Sequence, residues 1–205
     1  MSQKERMLNE KLYMADDEKL VKERLKAKRL TNKFNNTTVE DENKRSKLLK
    51  KLIGKVGENV YIEPSFKCDY GYNIHLGDNF FANYDCIILD VAKVDIGNYV
   101  FLGPGVHIYT ASHPIDPIIR NTYLEYGKKV KIGDNVWIGG NTTINPGVEI
   151  GKNVVIGSGS VVTKNIPSNV IAAGNPCRVI REINEEDKKY WDKLKKEYIN
   201  EMGEI

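Results

Sequence analysis

Histidine and cysteine are the side chains best suited to proton transfer, nucleophilic attack or soft-metal binding, and this chain of 205 residues has three of each. Cys68, Cys86 and Cys177 are an odd number without Cys-x-x-Cys spacing, which predicts neither a disulfide framework nor a zinc ribbon. His75 and His107 fall in regular stretches and read as structural. His113 differs: it precedes Pro114, which stiffens the backbone behind it, in a segment of about 20 residues that lacks the pattern of its surroundings. Structureless segments of that length in compact domains usually carry function. An imidazole fixed there can exchange a proton near neutral pH as a general base. With two partners it could also ligate zinc.

The pattern that His113 interrupts has a period of six. From Ile132 the chain reads IGDNVW, IGGNTT, INPGVE, IGKNVV, IGSGSV and VTKNIP. Ile132, Ile138, Ile144, Ile150, Ile156 and Val162 hold the first position. Val136, Thr142, Val148, Val154, Ser160 and Ile166 hold the fifth. The same pattern starts upstream at Ile96 (IGNYVF, LGPGVH), and a looser version runs from Val56 through Gly77. Six residues turn an α-helix by about 600°, so a helix would not keep these residues on one face. Short strands joined by corners would. Three hexads then make one turn of a triangular coil, the aliphatic residues fill its inside, and Gly, Asn and Asp take the corners.

The flanks are more charged than this body. Residues 1–54 hold 15 Lys+Arg against 9 Asp+Glu, and residues 178–205 hold 7 against 8. Met7, Leu8, Leu12 and Tyr13, then Leu20, Val21, Arg24 and Leu25, recur at helical spacing. Thr38 and Asp41 predict a capping box for a second helix with Leu48, Leu49, Leu52 and Ile53 inward and Gly54 at the left-handed position past its end. Asn184 and Asp187 predict the start of a C-terminal helix that lays Tyr190, Trp191, Leu194 and Tyr198 on the body. The expected organisation is an N-terminal helical cap (1–54), a coil (55–183) with an inserted loop (111–131), and a C-terminal helix (184–205). A net charge of +3 argues against nucleic acid, and no apolar run reaches membrane-span length. No signal-peptide pattern follows Met1, so a soluble, cytoplasmic protein is expected.

The six-residue repeat resembles that of the hexapeptide-repeat proteins, which implies a mainly β fold, a left-handed parallel β-helix. The runs Cys68-Asp69-Tyr70-Gly71-Tyr72-Asn73-Ile74, Asn79-Phe80-Phe81-Ala82-Asn83, His107-Ile108-Tyr109-Thr110-Ala111-Ser112-His113-Pro114, Trp137-Ile138-Gly139-Gly140 and Gly174-Asn175-Pro176-Cys177-Arg178 resemble the maltose/galactoside O-acetyltransferases, nearer the maltose type. That resemblance covers nearly the whole chain. It implies a homotrimer with active sites between subunits, which transfers acetyl from acetyl-CoA to a sugar hydroxyl.

His113 matches the catalytic base of that family and Asn83 its oxyanion-stabilising amide. Gly140, Ser158, Thr163, Lys164, Arg178 and Arg181 match its cofactor contacts, with Trp137 as a flat wall beside the pantetheine. Asp69 stands where the galactoside type has a serine and is expected in the acceptor cleft close to Asn83. An acidic acceptor contact of the family falls at Ala15, with Asp16 and Asp17 adjacent. A second falls at Val91, beside Asp90. The resemblance requires no acyl-enzyme, no cysteine role and no metal. Two rivals remain open at this point. One is a zinc hydratase of carbonic-anhydrase type using His75, His107 and His113, against which the five residues between the last two count. The other is a non-catalytic trimeric scaffold.

Overall fold

The computed structural model describes residues 1–204. The chain from Lys55 onward winds into a parallel β-helix of three faces. The first face stacks Lys55–Val56, Ile74–Leu76, Val94–Ile96, Val130–Ile132 and Glu149–Ile150. The second stacks Tyr61–Ile62, Phe81–Ala82, Phe101–Leu102, Val136–Ile138, Val154–Ile156 and Val170–Ala173. The third stacks Phe66–Cys68, Cys86–Leu89, His107–Tyr109, Thr143–Ile144 and Val161–Val162. Ile132 lies over Ile150 and Val136 over Val154, so one turn there spans 18 residues, the three hexads expected. Upstream, Ile74 lies over Val94 and Phe81 over Phe101, so those turns take 20 residues and the hexads read loosely.

First-position and fifth-position residues of the hexads both point inward and are buried. The corners fall one residue earlier than the fifth position. Asn59, Asn79, Tyr99, Asn135, Asn153 and Asn169 form one column with positive φ. Within it the amide of Asn135 donates to Asn153 at 3.1 Å, and that of Asn153 to Asn169 at 2.8 Å. Second-position glycines serve close packing between turns: a Cβ on Gly77 would come within 2.5 Å of the Gly97 backbone.

Helix α2 (Glu18–Asn35) and α3 (Glu42–Leu52) close the first turn, and α1 (Gln3–Leu8) packs beside α2 against Tyr13–Met14 and Leu124–Gly127. Asn35 completes the open edge there, accepting from the Phe66 N–H at 2.9 Å and donating to the Phe66 carbonyl at 2.8 Å. This satisfies backbone groups that an exposed strand edge would leave free. Phe34, Leu49, Leu52 and Ile53 join the solenoid core.

Four local expectations need correction. The helical spacing of Leu12 and Tyr13 is accidental, because α1 ends at Asn9 and Glu10 turns to φ 57°; Tyr13–Met14 is instead a short strand, and Leu8 and Leu25 are exposed. Thr38 is not a helix cap: Asp41 is the N-cap residue of α3, and its carboxylate accepts from the Thr38 N–H at 2.9 Å. Gly54 does not take a left-handed φ. It is small because a Cβ there would lie 2.0 Å from the Tyr72 carbonyl oxygen. Helix α5 (Glu185–Met202) starts at Asn184 with the expected capping box, yet none of its residues is buried. It leaves from Arg178–Glu182, itself exposed throughout and paired on the outer edge of Val170–Ala173, so it starts beyond the body that it was expected to cover.

Candidate active site

The coil breaks after His107–Tyr109. That strand lies over Thr143–Ile144, 36 residues on, which is one turn plus the insertion. The insertion folds back as a three-stranded antiparallel sheet whose middle strand is Leu124–Gly127. Ala111–Ser112 pairs on one side of it (Ala111 with Gly127, Ser112 with Tyr126). Tyr13–Met14 pairs on the other (Tyr13 with Glu125). Between the outer and middle strands Asp116 caps the turn α4 (Pro117–Arg120), with Pro117 at its start. His113 leaves the end of Ala111–Ser112 and is exposed, lining a cavity of about 360 Å³ with Arg120, Asn121, Tyr123 and Glu125. Sequence reasoning missed Tyr13 and Glu125 as site residues: Tyr13 was read as a helix face, and Glu125 lies in a stretch read only as polar.

At the same corner of the coil Asp69 is half-buried, and burial raises its carboxyl above the ordinary value. Asp90 shapes that corner. The N–H groups of Asp69 and Tyr70 donate to its Oδ1 at 3.1 and 2.8 Å, and that of Asn73 to Oδ2 at 3.3 Å. Asp90 is fully buried, and Val91 beside it is also buried, so neither faces an acceptor from this chain. Asp17 is the N-cap of α2, its carboxylate accepting from the Leu20 N–H at 3.2 Å, while Asp16 is exposed.

Burial pushes the Asp90 carboxyl up to about 7, with the Tyr70 N–H pulling the other way. A carboxyl raised on folding contributes fully below its unfolded value near ~4 and loses that contribution as pH rises through about 7. The wild-type melting temperature should therefore fall between pH 5 and pH 8 more than that of Asp90→Asn. Parallel pH dependences in the two proteins would contradict this assignment.

Asn83 follows Phe81–Ala82 at the next corner. It is not one of the left-handed corner residues; Asn79 and Asp85 on either side are. Its side-chain oxygen accepts from the Tyr84 N–H at 2.8 Å, which turns the amide NH₂ away as the free donor. The strand Cys86–Leu89 separates Asn83 from the corner of Asp69, Asp90 and His113. Four extended residues span roughly 13 Å. Asn83 and Asp69, expected side by side, thus sit at opposite ends of one face of this chain.

Trp137 is 55% exposed on the second face, in an outward row of paired residues: Tyr61, Phe81, Phe101, Trp137, Val155, Ile171 and Arg181. Gly140 and Ser158 belong to successive turns at its edge; the Gly159 N–H donates to the Gly140 carbonyl at 2.8 Å. Thr163 and Lys164 are exposed beside Arg178, since the Cys177 N–H donates to the Val161 carbonyl. Arg181 holds Asp187 of α5 in a two-pronged ion pair at 2.6 and 2.7 Å.

His75 faces Asp95 at 3.3 Å on the first face, whereas His107 meets the Tyr109 hydroxyl at 2.7 Å on the third. Within this one chain the three histidines do not converge. Among the described residues no three His, Cys, Asp or Glu side chains form a metal-binding group. Burial raises all three thiols, Cys86 to about 11, which makes poor nucleophiles of them. No helix of the described residues is long and apolar enough to cross a membrane.

A hexad-built parallel β-helix interrupted by a histidine loop is the architecture of hexapeptide-repeat acetyltransferases. Residues 6–57 match the maltose acetyltransferase hexapeptide capping motif, and residues 129–164 match the bacterial transferase hexapeptide of six repeats. A maltose O-acetyltransferase structure from Clostridium difficile 630 is 60% identical with a TM-score of 0.89, covering 90% of this chain and 98% of that one. A galactoside acetyltransferase structure in complex with coenzyme A is 46% identical with a TM-score of 0.89, covering 92% of this chain and 94% of that one. The galactoside O-acetyltransferase of Escherichia coli K12 is 46% identical over 193 residues, 94% of this chain and 95% of that protein. The chain belongs to the maltose/galactoside O-acetyltransferase family of left-handed β-helix acetyltransferases.

Proposed function

We propose that this protein is a cytoplasmic, acetyl-CoA-dependent O-acetyltransferase that acetylates a sugar hydroxyl by direct attack in a ternary complex. The placement of His113 carries the reading: it stands at the one long break of the coil among the described residues, directly after a strand paired to the middle strand of the inserted sheet and beside a cavity. A sugar hydroxyl is a weak nucleophile. His113 takes its proton as the oxygen attacks the thioester carbon, the Asn83 amide donates to the oxyanion that develops, and His113 returns the proton to the departing thiolate. Raised thiols at all three cysteines favour this direct route over an acyl-enzyme.

Coenzyme A fits the exposed edge from Trp137 to the C-terminal hairpin. Trp137 to Arg181 spans three strand spacings, roughly 14 Å, long enough for an extended pantetheine arm. Lys164, Arg178 and Arg181 supply cations for phosphates, and Gly140, Ser158 and Thr163 line the way. Asp69 with Asp16 and Asp17 would face the acceptor.

One chain holds His113 and Asn83 at different corners, so the site is completed between subunits of a homotrimer. Support for this comes from apolar surface left open: the loop tip (Ile115 is 91% exposed), the outward aromatic row and the aromatic edge of α5.

Release of free CoA from acetyl-CoA, with glucose, maltose and a galactoside as acceptors, tests the reading. Acceptor-dependent release is expected; binding of acetyl-CoA without turnover on any of them would remove the sugar class, and no binding at all would leave the scaffold. Arg178→Ala should raise the KM for acetyl-CoA with kcat little changed. A fall in kcat at constant KM would remove Arg178 from the cofactor site.

A further inference from the structure

The corner of Asn83 continues one turn past it. Gly157, Gly139, Gly103, Asn83 and Glu63 form a column in which each backbone N–H donates to a carbonyl of the neighbouring turn, at 2.8 to 3.0 Å. Glu63 ends that column on the side of the N-terminal helices, one strand spacing or roughly 5 Å from Asn83. Coenzyme A, on the edge proposed above, comes to Asn83 from the Gly139 end of the column. The Glu63 end is left to the acceptor.

Side chains at that end keep unused hydrogen-bonding capacity. Arg45 of α3 is only 7% exposed. Its Nε donates to the Thr37 hydroxyl at 2.9 Å and its Nη1 to the Tyr61 hydroxyl at 3.3 Å, while Nη2 has no partner among the described residues. No sealed side-chain polar atom there is left unpaired, so Nη2 is reached from the cavity of about 580 Å³ that Arg45 and Tyr61 line. Glu63 is half-buried, and its carboxylate lies 3.6 Å from Nη1, beyond hydrogen-bond length. The exposed Tyr61 ring lies parallel to that of Phe81, with centroids 5.9 Å apart. A guanidinium and a carboxylate with spare groups, beside an aromatic ring, match a sugar, whose neighbouring hydroxyls both donate and accept. A phosphate or other anion fits badly, because Glu42, Glu58 and Asp78 line the same cavity and outnumber Arg45 and Lys50.

We propose that Arg45, Tyr61 and Glu63 form a distal acceptor subsite, on the subunit that supplies Asn83, for the second ring of a disaccharide or longer saccharide whose first ring is acetylated. This rests on the reading above, acetyl transfer to a sugar with the Asn83 amide at the reacting carbon. The step from Asn83 to Glu63 is about the distance between the linked rings of a disaccharide. The subsite touches no reacting atom. It selects a saccharide over a free monosaccharide and gives α3 a part in that choice through Arg45.

The test is the acceptor KM and kcat for glucose, maltose and maltotriose in wild type, Glu63→Gln and Tyr61→Ala, each checked for a wild-type melting curve. Wild type should have a lower KM for maltose than for glucose, with little further gain for maltotriose. Glu63→Gln keeps the shape and removes the charge that accepts from the second ring. It should raise the KM for maltose relative to that for glucose roughly tenfold, the scale of one hydrogen bond to a charged group. Tyr61→Ala should shift the same ratio in the same direction. If Glu63→Gln melts below wild type, Tyr61→Ala decides alone, since that ring stands on the surface. Equal KM values for glucose and maltose in wild type would overturn the proposal, as would variants in which both KM values rise together or neither moves. Wild type that turns over no saccharide at all would instead remove the sugar acceptor, and this subsite with it, a failure separable from turnover without discrimination.

Discussion

Replacing His113 with alanine lowers kcat by ~10²–10⁴, the scale of a positioned general base, and leaves the KM for acetyl-CoA unchanged. The separation follows from the layout of the chain. His113 follows the inserted sheet's edge strand, whereas the edge proposed for the cofactor runs from Trp137 to the C-terminal hairpin on other turns of the coil. The side chain is exposed and makes no contact on which the coil depends, so the melting curve should not move. Steady-state CoA release with saturating acceptor checks this. A loss of acetyl-CoA binding in step with kcat would point to a disturbed fold, and full activity would leave the loop without a catalytic role.

Asn83→Ala should lower kcat by ~10²–10³, the loss measured when one oxyanion donor is removed. Asn83 is free to serve because its own oxygen is already engaged by the Tyr84 N–H, which fixes the amide orientation. Its backbone N–H donates to the Leu102 carbonyl at 3.0 Å and is untouched by the substitution, so the turn survives. The KM values should stay near wild type, since the donor acts on charge that exists only during reaction. Asn83→Ala with a raised acceptor KM and intact kcat would make Asn83 a binding residue instead.

The solenoid was legible because its signal is local and repeated. Each buried hexad residue from Ile132 to Val162 announces itself by spacing alone, and each Asn corner follows it. His113 was legible as an interruption of that pattern. What escaped was set by partners distant in sequence. Tyr13 is a strand residue because Glu125, 112 residues away, pairs with it. Gly54 is a glycine because of the Tyr72 carbonyl, not because of its own φ. Thr38 and Asp41 have cap-like chemistry, and only the hydrogen-bond direction shows that Asp41 serves Thr38 rather than the reverse. The separation of Asn83 from Asp69 lies in which corner each occupies, a property of the closed coil.

That separation makes subunit mixing the most direct measurement of the central claim, a site in which His113 of one subunit works with Asn83 of its neighbour. His113→Ala and Asn83→Ala are unfolded together in equal amounts, refolded, and assayed for acceptor-dependent CoA release. Random assembly of a closed ring gives about one site in four both intact groups, so the mixture should recover about a quarter of wild-type activity while each variant refolded alone stays inactive. A mixture no more active than its two parents would place both groups in one chain's site and contradict the account.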